Sequence, residues 1–286
     1  MFTRKEILER LNAQVNAGKP LLMFGAGIGL TAKCAEKGGA DLIGIYSTAI
    51  YRMRGLPSVL AWLPYSNANE HLINMAKEIL PAVQHTPCIA GIGAHDPGLR
   101  LDSLLDELLE MGFCGINNEP FCGLYGEYFS SVLEKAGLGF SREVAMIEHA
   151  RKRDIFTVGW AMSPDEAARM AQAGADVVGA MIGVTTGGMS GASESISLEE
   201  ATENVQKMVE AAKAENPDVL VLTHGGPFAD VRTAQYSIAH SGAVGYASGS
   251  SGERIPTESA VVEITKQYKS PNIQLKYAYA KKTKRP

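Results

Sequence analysis

Glycine marks four places where a helical pattern ends and a short apolar run begins, and this repeat constrains the fold more than any other feature. The copies begin at Gly39, Gly112, Gly174 and Gly242, and a second glycine follows inside each apolar run. A glycine just past a helix adopts the left-handed conformation that caps it, and the apolar run is typical of a buried parallel strand. The long copies at 39 and 174 and the short copies at 112 and 242 indicate one half-structure used twice.

Strand-like runs alternate with helical patterns along the whole chain. The predicted strands cover 21–26, 41–46, 87–93, 113–117, 155–161, 176–182, 218–223 and 243–248. The predicted helices cover 30–37, 69–81, 101–111, 142–152, 164–173, 198–214, 229–241 and 257–268. Eight alternations with no break in composition predict one α/β domain over residues 1–286, a single (β/α)8 TIM barrel.

Both ends of the chain lie outside this alternation. Residues 3–17 are predicted to form an extra amphipathic helix, begun by a capping box of Thr3 and Glu6. We expect this helix to close the bottom of the barrel. Residues 270–286 are predicted to be a C-terminal extension whose basic end is frayed.

Composition excludes several classes of partner. Hydrophobic residues make up 45% and charged residues 20% of the chain, as in globular proteins in general. A net charge of -4 supplies no basic field for nucleic acid or a membrane surface. No apolar run reaches the roughly 20 residues of a membrane span, the polar N-terminal stretch does not have the pattern of a signal-peptide h-region, and the four cysteines lack metal-binding spacing. We therefore predict a cytoplasmic protein without nucleic-acid or membrane partners.

Three connections that follow predicted strands are long: 47–68, 118–141 and 183–197. In a TIM barrel the loops after the strands build the active site. The first carries several aromatic and arginine side chains, and the third is rich in small residues, as a closing lid would be. Loop drift in a large domain is the alternative interpretation.

The end of strand one carries a glycine-rich turn, from Gly25 through Gly27 to Gly29. Such a turn before a helix presents backbone N–H groups to a phosphate or carboxylate. A dinucleotide site would need an acidic residue at the end of strand two, but that strand ends in Tyr46 and Ser47. We therefore predict an anion-binding turn, with Gly25, Gly27, Tyr46 and Ser47 as ligand-binding candidates. Tight backbone packing is the alternative.

Strand three ends in His95 and Asp96, the most reactive pair in the chain. Asp96 could hold Mg2+, since hard cations take oxygen ligands, and His95 could transfer a proton near neutral pH. In the alternative, Asp96 only caps the turn that continues through Pro97 and Gly98. Both residues are catalytic candidates, and Asp96 is also a metal candidate.

Strand four runs into Asn118 and Glu119. Adjacent residues of a regular strand point to opposite sides, so only one of the two can face the barrel axis. We predict that Asn118 faces the axis and binds a carboxylate or carbonyl. Glu119 is the second metal candidate, or a base.

Strands seven and eight carry the strongest local signal, because phosphate sites in TIM barrels commonly use the loops that follow them. His224 is a proton-transfer candidate, with a buried core histidine as the alternative. The predicted phosphate- or carboxylate-binding residues are the backbone at two glycines, three hydroxyls and one fixed positive charge: Gly225, Gly226, Ser248, Ser250, Ser251 and Arg254.

Several of these stretches, taken together, closely resemble the phosphoenolpyruvate hydrolase-like family. They are Gly25-Ala-Gly-Ile-Gly, Tyr51-Arg-Met, Asp96-Pro, His224-Gly-Gly-Pro and Ser251-Gly-Glu-Arg-Ile-Pro. That family consists of TIM barrels of the phosphoenolpyruvate/pyruvate type, and also occurs as a domain of larger plant and fungal proteins of the tomato mosaic virus resistance type. The resemblance implies Mg2+, a small α-keto or enol acid, and an oligomeric assembly. Superfamily enzymes tend to carry an Asp-x-Asp pair after strand three, where this chain has only Asp96.

The first functional hypothesis is an enzyme that hydrolyses or cleaves a small phosphorylated or α-keto/enol acid, with Mg2+ as a candidate cofactor. Arg254 and the glycine turns would bind the anion, Asp96 would stabilise developing charge, and His224 or His95 would be the acid or base. The second hypothesis is a ligand- or nucleotide-binding regulatory barrel without turnover. The third is a scaffold that assembles as a homo-oligomer, with residues 267–279 reaching a neighbour.

Overall fold

The computed structural model describes residues 2–270, and its eight parallel strands close into a barrel in sequence order. Each strand pairs with the next one along the chain, and the last pairs with the first, Leu21 opposite Gly245. The predicted fold class is therefore confirmed. The strands are β1 (Leu21–Gly25), β2 (Leu42–Ile45), β3 (Cys88–Gly91), β4 (Gly115–Asn117), β5 (Phe156–Ala161), β6 (Val177–Met181), β7 (Leu220–His224) and β8 (Gly245–Ser248).

The helices lie between the strands as predicted, with two additions inside connections that were interpreted as long loops. These are α3, in the connection after β2, and α6, in the connection after β4. The helices are α1 (Arg4–Asn16), α2 (Gly29–Gly38), α3 (Ser47–Met53), α4 (Ala68–Ile79), α5 (Leu101–Met111), α6 (Gly126–Lys135), α7 (Phe140–Lys152), α8 (Pro164–Gln172), α9 (Leu198–Glu215), α10 (Val231–Ser241) and α11 (Arg254–Tyr268).

The glycine repeat has the structural role that the sequence predicts. All four leading glycines lie just past a helix with a positive φ, between 82° and 113°: Gly39, Gly112, Gly174 and Gly242. The inner glycines make room inside the barrel. A Cβ at Gly179 would lie 2.3 Å from Cε3 of Trp160, and a Cβ at Gly44 would lie 2.6 Å from Cε1 of Tyr46. The repeat therefore lets large aromatic side chains fill the barrel.

Two apolar layers follow from the alternation of side chains along each strand. The inner layer fills the barrel and includes Met23, Phe156, Trp160 and Leu222. The outer layer lies between the sheet and the helices. Trp160 lies at the carboxyl-terminal end of the inner layer, where polar side chains of neighbouring strand ends surround it.

Helix α1 closes the bottom of the barrel, as predicted. The capping box of Thr3 and Glu6 is present, and Ile7 and Leu11 are buried in the inner layer. Arg4 binds Asp176 at 2.7 Å, which joins the helix to the entrance of β6.

The predicted C-terminal extension lies outside the described residues except for Ser270. Of the stretch 267–279 that was proposed to reach a neighbour, only residues 267–270 are described. Within residues 2–270, no helix combines the length and the apolar character needed to cross a membrane. The cytoplasmic location stays a prediction.

Candidate functional site

A small cavity of about 40 Å3 lies on the barrel axis at the carboxyl ends of the strands; we call it the axial pocket. Five of its lining residues carry charge, aromatic rings or hydroxyls at the ends of β2, β4, β5, β7 and β8. Its lining consists of Tyr46, Thr48, Arg52, Ser58, Trp62, Glu119, Trp160, Met181, Val184, Thr185, His224, Gly249 and Ser250. Since one water needs roughly 10–15 Å3, the axial pocket suits a small ligand.

Arg52 is the positive charge of the axial pocket, and its place in the site was not predicted. It lies on α3, directly after β2, and its side chain is only 3% exposed. Its Nε donates to Glu253 at 2.5 Å and its Nη2 donates to the carbonyl of Gly25 at 2.6 Å. Tyr46 is a further hydrogen-bond partner of the guanidinium. The position of Arg52 in the long connection after β2 is the sequence signal that could have identified it.

The glycine-rich turn does bind a carboxylate, but that carboxylate belongs to the chain itself. The N–H of Gly27 donates to Glu253 Oε1 at 2.7 Å, and the hydroxyl of Thr31 donates to the same oxygen at 2.5 Å. A Cβ at Gly27 would also lie 2.3 Å from the carbonyl oxygen of Ala49, so close packing requires glycine there. The structure contains the close packing of the alternative interpretation, and the carboxylate of Glu253 occupies the place expected for an external anion.

Glu119, not Asn118, faces the axial pocket. Asn117 points inward, where its Oδ1 accepts from Trp160 Nε1 at 3.3 Å. Asn118 points the other way, where its amide donates to Glu143 at 2.5 Å and accepts from the Trp160 N–H at 2.7 Å. Side-chain alternation then returns Glu119 to the pocket side. Asn118 therefore does not face the barrel axis as predicted. Side chains alternate along a strand, and the sequence does not show which of two neighbouring residues points inward.

Burial controls the protonation of Glu119. Its carboxylate is 5% exposed and accepts one hydrogen bond, from the hydroxyl of Thr48 at 2.8 Å. Loss of hydration disfavours the charged form and raises the pKa of Glu119 to about 7. This carboxyl can therefore exchange a proton at neutral pH.

His224 lies at the end of β7, where the prediction placed it in the mouth. Its Nδ1 lies 2.5 Å from the carbonyl of Ala247 and must donate to it, so Nε2 carries the lone pair. Its ring packs 5.1 Å from Trp160. Burial lowers the pKa of His224 to about 4, so the ring is neutral near pH 7. His224 can accept a hydrogen bond from a ligand.

His95 and Asp96 line a different and much larger cavity. This outer groove of about 710 Å3 lies between the connection after β2 and helix α6. Trp62 lines both the outer groove and the axial pocket. Asp96 accepts from Asn67 at 2.8 Å, from Asn69 at 3.1 Å and from the N–H of Gly98 at 2.8 Å. In the structure Asp96 caps the turn that continues through Pro97 and Gly98, as the alternative interpretation predicts.

The two metal candidates, Asp96 and Glu119, do not form a Mg2+ site together. They line different cavities, and each carboxylate is already held by hydrogen-bond donors from the chain. Within residues 2–270, no three histidine, cysteine, aspartate or glutamate side chains gather where they could hold a metal ion. In the axial pocket the positive charge is Arg52.

Arg254 lies away from the axial pocket, contrary to expectation. Its guanidinium is buried, binds Glu258 at 3.0 Å and donates to the carbonyl of Gly187 at 2.9 Å. Its role is to hold the connection after β6 against α11. The glutamate one turn further along the helix is the sequence signal for this pairing.

Some of the remaining predicted binding residues line the axial pocket, and the others pack around it. Tyr46 and Ser250 line the axial pocket. Ser47 is buried beside it, and its Oγ has no partner among residues 2–270. Gly225 and Gly226 have φ angles of 78° and 55° and pack against the connection after β6. Ser248 and Ser251 bond to each other at 3.2 Å on the outer side of β8.

Comparison with protein families and curated proteins gives consistent matches. The family described as phosphoenolpyruvate hydrolase-like matches residues 6–270. The ToMV susceptible protein tm-1(GCR26) of Solanum lycopersicum is 42% identical over 92% of this chain and 35% of its own length. The ToMV resistance protein Tm-1(GCR237) of the same plant is 41% identical over 93% of this chain and 36% of its own length. The chain thus spans about a third of these relatives.

Comparison with solved structures shows the same fold at low sequence identity. A 2,3-dimethylmalate lyase, described as a PEP mutase/isocitrate lyase superfamily member, gives a TM-score of 0.60 at 17% identity, covering 99% of this chain and 93% of that one. Phosphonopyruvate hydrolase in complex with oxalate and Mg++ gives 0.58 at 15% identity, covering 98% and 93%.

Proposed function

Because the chain belongs to the phosphoenolpyruvate hydrolase-like family, we propose that it is an enzyme that cleaves a small α-keto or enol acid, phosphorylated or not, in the axial pocket. One observation carries the proposal. The buried guanidinium of Arg52 lines one small cavity together with Glu119, whose pKa is raised to about 7, and His224, which is a neutral acceptor. A fixed cation beside a proton donor and an acceptor is what a reacting acid anion requires.

Binding begins with the charge of Arg52. Its Nε and Nη2 are held by Glu253 and the Gly25 carbonyl, so its Nη1 is the group that can donate to a ligand carboxylate. The hydroxyl of Tyr46 is a second donor, because burial raises the pKa of Tyr46 to about 12 and keeps it protonated. The low polarity of the surroundings strengthens both contacts.

In the hydrolysis of phosphoenolpyruvate or phosphonopyruvate, water would attack phosphorus, the P–O or P–C bond would break, and its electron pair would stay on the keto acid fragment as an enolate. The phosphoryl group would leave as hydrogen phosphate with one proton of the water, and the other proton would replace the one that Glu119 gives up. Arg52 and Tyr46 would stabilise the charge on the enolate oxygen. Glu119, which is protonated in about half of the molecules near pH 7, would give its proton to the enolate carbon and complete the α-keto acid. His224 would accept a hydrogen bond through Nε2 from the ligand or from an attacking water.

In this proposal the positive charge that stabilises the substrate anion comes from a side chain of the protein. Phosphonopyruvate hydrolase was solved with oxalate and Mg++, whereas Asp96 and Glu119 line separate cavities here. No step therefore passes through a metal ion. The guanidinium of Arg52 supplies the positive charge in the axial pocket.

The test is calorimetric titration with oxalate, pyruvate and phosphoenolpyruvate, using Arg52→Lys and Arg254→Lys as a pair. Both arginines are buried and ion-paired, but only Arg52 lines the axial pocket. We expect Arg52→Lys to weaken oxalate binding roughly 10- to 100-fold, and Arg254→Lys to change it by less than about threefold. Weakening by Arg254→Lys alone would reject the assignment of the site.

Turnover is measured separately, by release of phosphate and of α-keto acid from phosphoenolpyruvate, phosphonopyruvate and oxaloacetate. The enzyme hypothesis predicts release that Glu119→Gln reduces without weakening oxalate binding at pH 6. If no small acid anion binds at all, the proposal fails.

A ligand-binding regulatory barrel is the second candidate. The observation that favours it is the similarity to curated relatives described as ToMV resistance and susceptible proteins. Oxalate binding through Arg52 without turnover of any substrate would support this candidate over the enzyme. A nucleotide is a poor fit in either case, because it is far larger than an axial pocket of about 40 Å3.

A further inference from the structure

A serine and a histidine lie in hydrogen-bond contact beside the outer groove, and neither belongs to the lining of the axial pocket. Ser66 Oγ lies 2.8 Å from Nε2 of His71, and the serine is exposed and lines the outer groove. The hydroxyl of Tyr51 also bonds to Ser66, and its oxygen lies 3.3 Å from the same histidine nitrogen. A serine hydroxyl paired with an imidazole nitrogen is the arrangement that activates serine as a nucleophile.

The surroundings of His71 keep its ring in the neutral form that accepts a proton. Burial and the nearby charge of Arg54 lower the pKa of His71, against the opposing charge of Glu70. Tyr51 can donate to Ser66, which leaves the serine proton for the lone pair on His71 Nε2. The ring of Tyr51 also packs edge to face against the imidazole, with centroids 5.4 Å apart, and so fixes its orientation. His71 can therefore serve as a general base for Ser66.

Helix α4 begins immediately after the serine and brings the histidine back to it. Asn67 caps this helix by accepting from the N–H groups of Asn69 and Glu70 at 2.8 and 3.1 Å. His71 lies in the first turns of the helix, five residues after Ser66. The positive end of the helix dipole therefore lies next to the serine, where it favours the negative charge that forms on an attacked carbonyl oxygen.

The outer groove indicates which molecules could reach Ser66. Its volume of about 710 Å3 is within the range of sites for organic ligands of moderate size. Four aromatic side chains line it: Trp62, Tyr65, Tyr125 and Phe129. Tyr65 and Phe129 are 72% and 46% exposed, so the groove offers rings to an apolar ligand.

The charge of the groove narrows the choice further. Burial opposes the ionisation of Asp96, but hydrogen bonds from two asparagine amides and from the N–H of Gly98 outweigh it and lower the pKa of this carboxyl. Burial lowers the pKa of His95, which keeps that ring neutral. No lysine or arginine is among the described residues that line the groove. The one lining charge near neutral pH is thus negative, and it repels an anion.

We propose that Ser66 and His71 form a second active site, in the outer groove, which hydrolyses carboxylic esters that carry apolar or aromatic groups and no negative charge. Ser66 Oγ attacks the carbonyl carbon, and its proton passes to His71 Nε2. The ester C–O bond breaks, and the alcohol leaves with the electron pair and takes that proton.

The second half of the reaction restores the serine. Water attacks the acyl carbon and gives one proton to His71, the bond to Ser66 Oγ breaks with its electron pair on the oxygen, and Oγ takes the proton back. The sum is one ester and one water converted to one acid and one alcohol. This activity is independent of the reaction in the axial pocket.

The first test uses the unaltered chain and a fluorophosphonate probe, which forms a P–O bond with an activated serine and releases fluoride. Mass spectrometry of the digested protein should locate the probe on Ser66. Ser131 is the internal comparison, because it is an exposed serine whose hydroxyl bonds to the carbonyl of Tyr128, and it should stay unlabelled. Absence of label, or label on other serines in place of Ser66, would overturn the proposal.

The second test measures hydrolysis of 4-nitrophenyl butyrate. We expect Ser66→Ala and His71→Asn each to lower kcat/KM by at least roughly 100-fold, and Ser131→Ala, the matched control, to change it by less than about twofold. Circular dichroism confirms that the variants fold, and oxalate affinity in Ser66→Ala should equal that of the wild type. A Ser66→Ala protein as active as the wild type would assign the hydrolysis to other surface nucleophiles and reject the site.

The third test addresses the substrate class. The mono-4-nitrophenyl ester of glutaric acid has the same leaving group as the butyrate ester and adds a carboxylate to the acyl chain. We expect kcat/KM to be higher for the butyrate ester by roughly tenfold or more, and Asp96→Asn to narrow the difference. Equal values for the two esters in the wild type would contradict the selection against anions.

Discussion

At the scale of single residues, the ion pair of Arg52 and Glu253 organises the axial pocket. The two side chains are 3% and 0% exposed and lie 201 positions apart in the sequence. Glu253 also holds the glycine turn through Gly27 and Thr31. A single carboxylate thus fixes both the cation of the pocket and the turn beside it.

Removing that carboxylate should be costly. Glu253→Ala leaves the guanidinium of Arg52 buried without its counter-ion, and we expect the free energy of unfolding to fall by about 3–5 kcal/mol. Chemical denaturation measures this. Glu9→Ala is the control, because Glu9 is 65% exposed in its pair with Lys5 and should leave stability unchanged within error. Equal losses in both variants would contradict the role of Glu253.

Glu119 makes ligand affinity depend on pH in a defined direction. Its raised pKa of about 7 means that the carboxyl is neutral at pH 6 and charged at pH 8. A charged Glu119 opposes an anion in the same cavity, so the affinity for oxalate should fall about tenfold from pH 6 to pH 8. Titration at both pH values tests this. Glu119→Gln should remove most of the dependence, and an unchanged profile in that variant would contradict it.

Sequence reasoning found part of the residue set. Tyr46, Glu119, His224 and Ser250 follow predicted strand ends and do line the axial pocket. The sequence predicts Arg254 as the anion-binding arginine and gives Arg52 no role, whereas the structure places Arg52 in the axial pocket and Arg254 against Glu258. Asp96 also follows a predicted strand end, but it lines the outer groove.

At the scale of elements, the glycines within the strands control how large side chains fill the barrel. Gly179 on β6 lies against Trp160 on β5, which forms the floor of the axial pocket. The order and approximate bounds of strands and helices were predictable, because glycine caps and apolar periodicity are local signals. Helices α3 and α6 lie inside connections that the sequence predicts to be loops.

Adding one methyl group at this contact should distort the barrel interior. In Gly179→Ala the new Cβ would lie 2.3 Å from Cε3 of Trp160, and overpacking of this kind costs about 1–3 kcal/mol. Thermal unfolding followed by tryptophan fluorescence measures it. Gly38→Ala on α2 has open space around its Cβ and should instead stabilise the protein by about 0.5–1 kcal/mol.

At the scale of the whole molecule, closure of the barrel brings the ends of β2, β4, β5, β7 and β8 around one small cavity. The charge in that cavity comes from Arg52, while Asp96 is placed in the outer groove. This arrangement gives a prediction about metal ions.

Oxalate affinity should be the same in excess EDTA and in excess MgCl2, once the Mg2+–oxalate complex in solution is subtracted. The physical reason is that Asp96 and Glu119 line separate cavities and cannot share an ion. Calorimetry under the two conditions measures it. A tenfold gain in affinity with Mg2+ would show that the ligand itself completes a metal site.

The sequence by itself determined the barrel, the order of its elements and the helix that closes it, because glycine conformation, capping and apolar periodicity act between near neighbours. Only the tertiary structure decided that Arg52 meets Glu253, that Glu119 faces inward and Asn118 outward, and that α11 is exposed from Ser259 to Lys269. Those outcomes depend on strand register and on the paths of the connections, which contacts between distant parts of the chain select.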